Sequence, residues 1–477
     1  MPSRVEALVR STIMRTVGTV ADVNRYLMKG GSSPYLIADH EPLREERTLT
    51  NLKVTGEIPA ELDGRYIRNG PNPITPPKPA AHHWFLGDAM LHGVRLKNGQ
   101  AEWYRNRWIR GREVSNALGE RHAPGHRRAF DVVNTNIVPH AGGAWAVVEA
   151  GGTPVRIGPQ LETIAHDGFG STLRRGFSAH PHKDPDSGEL HAICYEAMDP
   201  DSIRHVVVTP SGDVRREEPI QVKHGPMIHD CMITEHYVLI LDLPVTLSLK
   251  RMLAGYRFPY AWNVKHRPRV GLLPREGSNK DVLWCDVDPC YVFHPCNGFE
   301  TSDGKVILDV CAHDKMFDQS TQGPDSNRVP FERWTIDPAT KRVTRKVVDA
   351  AAQEFPRANE TRLGKPYRYA YCMGLTPKRA FVESATHLIK HDLEAGSRQV
   401  HDFGPSGFPG EFVFIPRASA RTEDDGWLMG YVLDRSQQTT DLVILDAARF
   451  EAPPQARVTI PQRIPLGFHG NWFPSPS

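Results

Sequence analysis

The sequence contains no run of about 18 apolar residues, so it predicts no membrane-spanning helix. It has no excess of either charge. Its 58 Lys and Arg stand against 56 Asp and Glu, a net +2 that argues against nucleic acid as a partner. It has no Cys-x-x-Cys pair, and its seven cysteines are odd in number. Free, mostly buried thiols in a reducing compartment are expected, rather than a disulfide framework. Cys285, Cys290 and Cys296 flank His294, yet their spacing lacks the tight paired knuckles of structural zinc sites. The N-terminal region has no apolar stretch followed by a small-residue cleavage site. No WD or kelch period recurs.

What the chain does have is proline and glycine, 40 and 39 residues, spread between short β-rich runs. Examples are residues 144–149, 190–195, 205–208, 237–241, 305–310 and 442–445. Many short strands joined by turns follow from that pattern. No linker interrupts residues 50–477, which read as one large all-β domain. An antiparallel sheet of that length must protect its edges, and radial blades do so. Residues 1–49 form a helical segment and lead-in. Val5, Leu8, Val9, Ile13, Val17, Val20, Val23 and Leu27 recur near helical spacing before Gly30 and Gly31 break the pattern. Packing of that helix on the domain is the favoured reading. A membrane-surface anchor is the other, because Arg4, Arg10, Arg15 and Arg25 accompany the apolar face.

Among 22 histidines, four occupy similar settings: His180 in Phe177-Ser178-Ala179-His180-Pro181, His229 in Pro226-Met227-Ile228-His229-Asp230, His294 in Tyr291-Val292-Phe293-His294-Pro295, and His469 in Gly467-Phe468-His469-Gly470. Each follows an apolar or small residue and precedes a turn former or a polar residue, as at a strand end pointing inward. Neutral imidazole binds iron, copper or zinc, although a lone histidine is more often structural. The wide gaps between the four suit separate blades, not one helix face.

In this order, the four segments resemble the iron-ligand motifs of the carotenoid cleavage oxygenases. The resemblance runs from about residue 50 to the C-terminus. It includes Gly64-Arg65-Tyr66-Ile67-Arg68-Asn69-Gly70-Pro71-Asn72-Pro73, His83-Trp84-Phe85-Leu86-Gly87-Asp88, Tyr104-Arg105-Asn106-Arg107-Trp108, Asn134-Thr135-Asn136, Arg269-Val270-Gly271-Leu272-Leu273-Pro274-Arg275 and Glu354-Phe355-Pro356-Arg357. It implies a seven-bladed β-propeller with an axial iron(II), one per subunit, held by His180, His229, His294 and His469. It also implies glutamates that orient three of these ligands: Glu149 for His229, Glu354 for His294 and Glu411 for His469. A carboxylate accepting the far ring N–H fixes the tautomer and raises ligand basicity. His180 is expected to lack such a partner. Phe412 stands where the family commonly has proline.

The implied reaction adds O2 across an electron-rich C=C bond and breaks it into two carbonyl products. Four neutral ligands leave two positions of an octahedral iron open, and no protein acid–base pair is required. Thr135 resembles a family threonine beside the open position. Val148, Phe293, Phe85 and Trp108 are expected to line the substrate tunnel. The family's phenolic-stilbene branch typically has lysine where this chain has Val148, and valine cannot stabilise a buried phenolate. An apolar carotenoid or apocarotenoid is therefore favoured over a stilbene or phenylpropene. The family's isomerohydrolase branch is a more distant reading, and a catalytically silent propeller that binds lipids or partners is the reading from another class. Residues 244–258 mix apolar and basic side chains, as in the family's dome over the tunnel mouth. The expectation is a cytoplasmic protein in peripheral contact with a membrane, without an obligate protein partner.

Overall fold

A computed structural model describes residues 4–197, 199–376 and 384–475, with side chains from residue 16 onward. Strands dominate. They pair antiparallel in four-stranded and larger sheets, beside one two-stranded hairpin. The eight-stranded sheet is two antiparallel units joined by a single parallel pairing, Asp286 with Arg342. Divided there, and leaving the hairpin aside, the sheets make seven units.

The strands His182–Lys183, Cys231–Ile233, Tyr291–Glu300, Gln353–Ala358, Val413–Pro416 and Gly470–Pro474 touch in that order, and Gly470–Pro474 then packs on Asn136–His140. The arrangement is that of a propeller, with edge strands turned to a common axis. Edges that would otherwise template aggregation thereby face the interior. The ring is closed from both chain ends. Gly470–Pro474 pairs with Gly64–Pro71, and Lys53–Gly56 pairs with Ala456–Ile460. The core lies between neighbouring sheets. Val138 and Trp145 of one unit, for instance, share a buried cluster with Leu190, Ala192 and Val206 of the next. The strands expected from the apolar runs are present, Leu190–Tyr195 with the expected ends and others with shifted ends, among them Tyr237–Asp242 and Val306–His313.

The N-terminal helix spans Arg4–Leu27. The side chains of Val5, Leu8, Val9, Ile13, Arg4, Arg10 and Arg15 lie outside the described residues. Further along, Val17 and Ala21 are buried, whereas Val20, Val23, Tyr26 and Leu27 are exposed. The helix docks on the excursion between Val245–Leu247 and Tyr260–Trp262, which carries the short helix Leu249–Leu253. Asn24 donates to the Leu253 carbonyl at 2.7 Å, and Arg25 to the Gly255 carbonyl at 2.9 Å. A Cβ at Gly255, whose φ is +94°, would stand 2.7 Å from the Arg25 nitrogen, so only glycine permits this approach. No described helix is long and apolar enough to cross a membrane.

Candidate metal centre

All four histidines sit at axial strand starts. His180, His229 and His469 lie just ahead of their strands, and His294 lies within Tyr291–Glu300. Pairing slips between Val292 and Pro295, because proline has no N–H for the ladder. The resulting bulge turns the His294 ring off the sheet. Ring nitrogens of the four converge within 4.8 Å of one another, and all four residues are buried. His229 Nε2 and His294 Nε2 lie 3.4 Å apart.

Three carboxylates hold the outward nitrogens. His229 Nδ1 lies 3.0 Å from Glu149 Oε1, His294 Nδ1 lies 2.7 Å from Glu354 Oε2, and His469 Nδ1 lies 3.0 Å from Glu411 Oε1. The pairing is the one the resemblance implies. It directs the three Nε2 atoms to the axis. Among the described residues, no carboxylate lies within hydrogen-bond reach of the His180 ring. Asp230 Oδ2 approaches its Nδ1 only to 3.7 Å, and its buried Nε2 has no hydrogen-bond partner. An orphaned imidazole nitrogen aimed at three others fits a missing cation. Imidazole donors suit a first-row transition metal.

The backbone is bent to deliver the glutamates. Glu149 precedes Ala150, at φ +62°, and Glu354 precedes Phe355, at φ +51°. Such conformations cost about 1 kcal/mol or more and collect at functional sites. Gly176, on the His180 loop, presses against Gly151, where a Cβ would come within 2.2 Å of the Gly151 Cα. Sequence reasoning missed the groups that grip each glutamate from behind. Tyr195 donates its hydroxyl to Glu149 Oε2 at 2.9 Å, and His313 Nε2 lies 2.8 Å from Glu354 Oε1. Arg357 Nε donates to Glu411 Oε1 at 2.9 Å, and the Gly470 amide donates to Glu411 Oε2 at 3.0 Å. Arg357 was in view, three residues after Glu354. Tyr195 and His313 each end an apolar run and carry no local signal.

These contacts set the charge. Burial opposes ionisation of Glu411, but the Arg357 guanidinium and His469 outweigh it and hold the carboxyl down to about 2. Burial also opposes ionisation of Glu354, and His294 and His313 overcome it, so its pKa is lowered. Burial and the neighbouring imidazoles push His180 well below its ordinary value, and burial takes His469 to about 4 despite Glu411. Both rings are thus neutral near pH 7 and able to coordinate.

A cavity of about 550 Å³ reaches the cluster from one side. Its walls include Phe85, Val148, Phe258, Phe293, Phe355 and Phe468, with Thr135, His229, His294 and His469 at the metal end. Thr135 is presented by its neighbours. Asn134 donates to the Phe85 and Gly87 carbonyls, and Asn136 donates to the Ala179 carbonyl, clamping the loop on both sides. The far end opens beside His126, Ala129 and Arg257. One expected lining residue is elsewhere and stands corrected: Trp108 is buried against Met90 and Val114, and its indole N–H donates to the Asn72 carbonyl at 2.8 Å. It ends the strand Gln100–Trp108, which two other strands of its sheet separate from the axial strand Gly470–Pro474.

The family model described as retinal pigment epithelial membrane protein matches residues 40–474. The chain belongs to that family, the carotenoid cleavage oxygenases. It is 42% identical to a carotenoid cleavage oxygenase of Mycobacterium tuberculosis, over 93% of this chain and 98% of that protein. It is 30% identical to the apocarotenoid-15,15'-oxygenase of Synechocystis, over 88% of this chain and 92% of the relative. A solved variant of the Synechocystis apocarotenoid oxygenase superposes with a TM-score of 0.81 at 27% identity, covering 94% of this chain and all of that one. The Pseudomonas brassicacearum lignostilbene dioxygenase superposes at 0.84 and 26% identity, with the same coverage.

Proposed function

We propose that this family member is an iron(II)-dependent dioxygenase that cleaves a C=C bond of a carotenoid or apocarotenoid into two carbonyl products. The observation that carries this is an all-imidazole donor set at the closed end of an aromatic cavity, in a chain similar over nearly its full length to carotenoid cleavage oxygenases. Iron, when bound, would supply the activation of dioxygen. The chain's own residues do the rest. His180, His229, His294 and His469 hold the metal, and Glu149, Glu354 and Glu411 fix the imidazole orientations. Phe293, whose ring lies edge-on to His229 at 4.9 Å, and Phe85, edge-on to Phe293 at 6.2 Å, hold a flat polyene against the centre and exclude water. Thr135 narrows the space beside the ligands.

Val148 in the cavity wall supports an apolar substrate. A lignostilbene dioxygenase among the structural neighbours keeps stilbenes in the test. Exposed Val20, Val23, Tyr26, Leu27 and Leu249, on the helix and the excursion beside the cavity mouth, support peripheral contact with a membrane from which such a substrate is drawn. The test is anaerobic reconstitution with Fe(II), then aerobic incubation with apocarotenals, long carotenoids and hydroxystilbenes, with products read by mass spectrometry. Iron-dependent aldehydes from a polyene are expected. Cleavage of stilbenes alone would overturn the substrate reading, and no product from any of them would overturn the enzyme reading.

A further inference from the structure

The cluster has a second approach, which the proposed reaction leaves unused. A smaller cavity of about 100 Å³ meets His180, His294 and His469 from another side, bounded by His182, Lys183, Asp230, Arg357 and Glu360. Its walls mix charged side chains with apolar ones such as Val138, Leu190 and Leu363, and so are more polar than those of the substrate cavity. A hydrated dication loses most of its solvation in a channel walled by phenylalanines, at a cost no neutral ring repays. A polar passage with a carboxylate lowers that barrier. Arg357, the half-buried cation there, is already pinned by Glu411 and Glu360 at 2.9 Å each.

His182 and Asp230 line this passage, and Cys231, buried in the neighbouring apolar core, brings its thiol close enough that metal-binding atoms of the three lie within 4.8 Å of one another. Asp230 spans the gap. Its Oδ1 accepts from His182 Nε2 at 2.8 Å and from the Cys231 amide at 2.6 Å, while Oδ2 lies 3.7 Å from His180 Nδ1. His182 is half-buried, and Lys183 beside it is exposed. We propose that His182, Asp230 and Cys231 form a transit site for a divalent first-row cation, through which the four-histidine centre is loaded from the polar cavity. The proposal rests on the metal reading of that centre. It assigns a role to Asp230, whose carboxylate approaches a ligand without fixing it by a hydrogen bond. Three donors, one of them already engaged twice, hold a cation less firmly than four converging imidazoles, so the ion passes on.

The experiment strips the full-length protein with a chelator and mixes it anaerobically with excess Co(II). Uptake is followed by visible absorbance, and final metal content by elemental analysis. His182→Ala should slow loading about tenfold, and Lys183→Glu, which turns the mouth attractive to cations, should speed it by a similar factor. Final content should equal wild type in both. Filling the apolar cavity with an uncleavable polyene analogue should leave the rate unchanged. Wild-type loading rates in both variants, or loading blocked by the analogue, would overturn the route while leaving the centre intact. A wild-type protein that takes up no cobalt at all would overturn the centre and the route together.

Discussion

The two cavities that meet at the histidine cluster differ in almost everything except what they reach. One is walled by phenylalanines and large enough for an extended apolar molecule. The other is small and mixes charged residues with apolar ones. Four imidazoles form the partition. The lesson is that a ring of edge strands can separate two environments by one layer of side chains, because each of four axial strands carries a histidine at or near its start and the four rings converge there. The carboxylates lie on the partition itself, where burial is nearly complete and every charge is paired: Glu354 between two histidines, Glu411 between a histidine and an arginine.

Breaking the partition should have the largest effect. In Glu354→Gln, one carbonyl oxygen cannot accept from both His294 and His313, so one imidazole loses its acceptor. Metal affinity should fall by about 10–100-fold, read by competition with a chromophoric chelator. Arg357→Met strips the cation from Glu411 and should cost roughly 3 kcal/mol at neutral pH, read by denaturant unfolding. The pH dependence has a definite sign. The folded Glu411 pKa lies at about 2, below its ordinary 4.5, so its contribution is complete above about pH 4.5 and is lost as the pH falls toward 2. The advantage of wild type over Arg357→Met should therefore shrink over that window.

Much of this was legible in the sequence, and the omissions have a common cause. The four histidines share a local setting, but they and the three glutamates are singled out by the resemblance of their segments to the family's motifs, since a lone histidine is more often structural. The strands expected from period and punctuation are present because turns are local chemistry. Tyr195 and His313 were not legible, since their partners lie 46 and 41 residues away and nothing nearby in the chain marks the contact. Trp108 is misplaced for the opposite reason: it belongs to a segment that resembles the family's, but its strand lies two strands away from the axial one. Asp230 was quoted beside His229 without a role, because a spacing along the chain does not tell which side of the axis a carboxylate faces.

Smaller effects sharpen the contrast between the two sides. Val148→Lys places an ammonium in the apolar wall. Polyene turnover should drop by about tenfold or more, mostly through KM, since burying an uncompensated polar group costs about 1–3 kcal/mol. Steady-state kinetics on an apocarotenal would measure it. Trp108→Phe should cost only about 1 kcal/mol, for the lost hydrogen bond to Asn72, with kcat and KM unchanged. A change in KM would return Trp108 to the cavity wall.

Anomalous diffraction at the iron edge, from crystals of the protein reconstituted with Fe(II), tests the central claim most directly. The account predicts one strong peak per chain, in bonding contact with ring nitrogens of His180, His229, His294 and His469. A peak resting at His182, Asp230 and Cys231 with the four-histidine cluster empty, or no peak at either place, would contradict it.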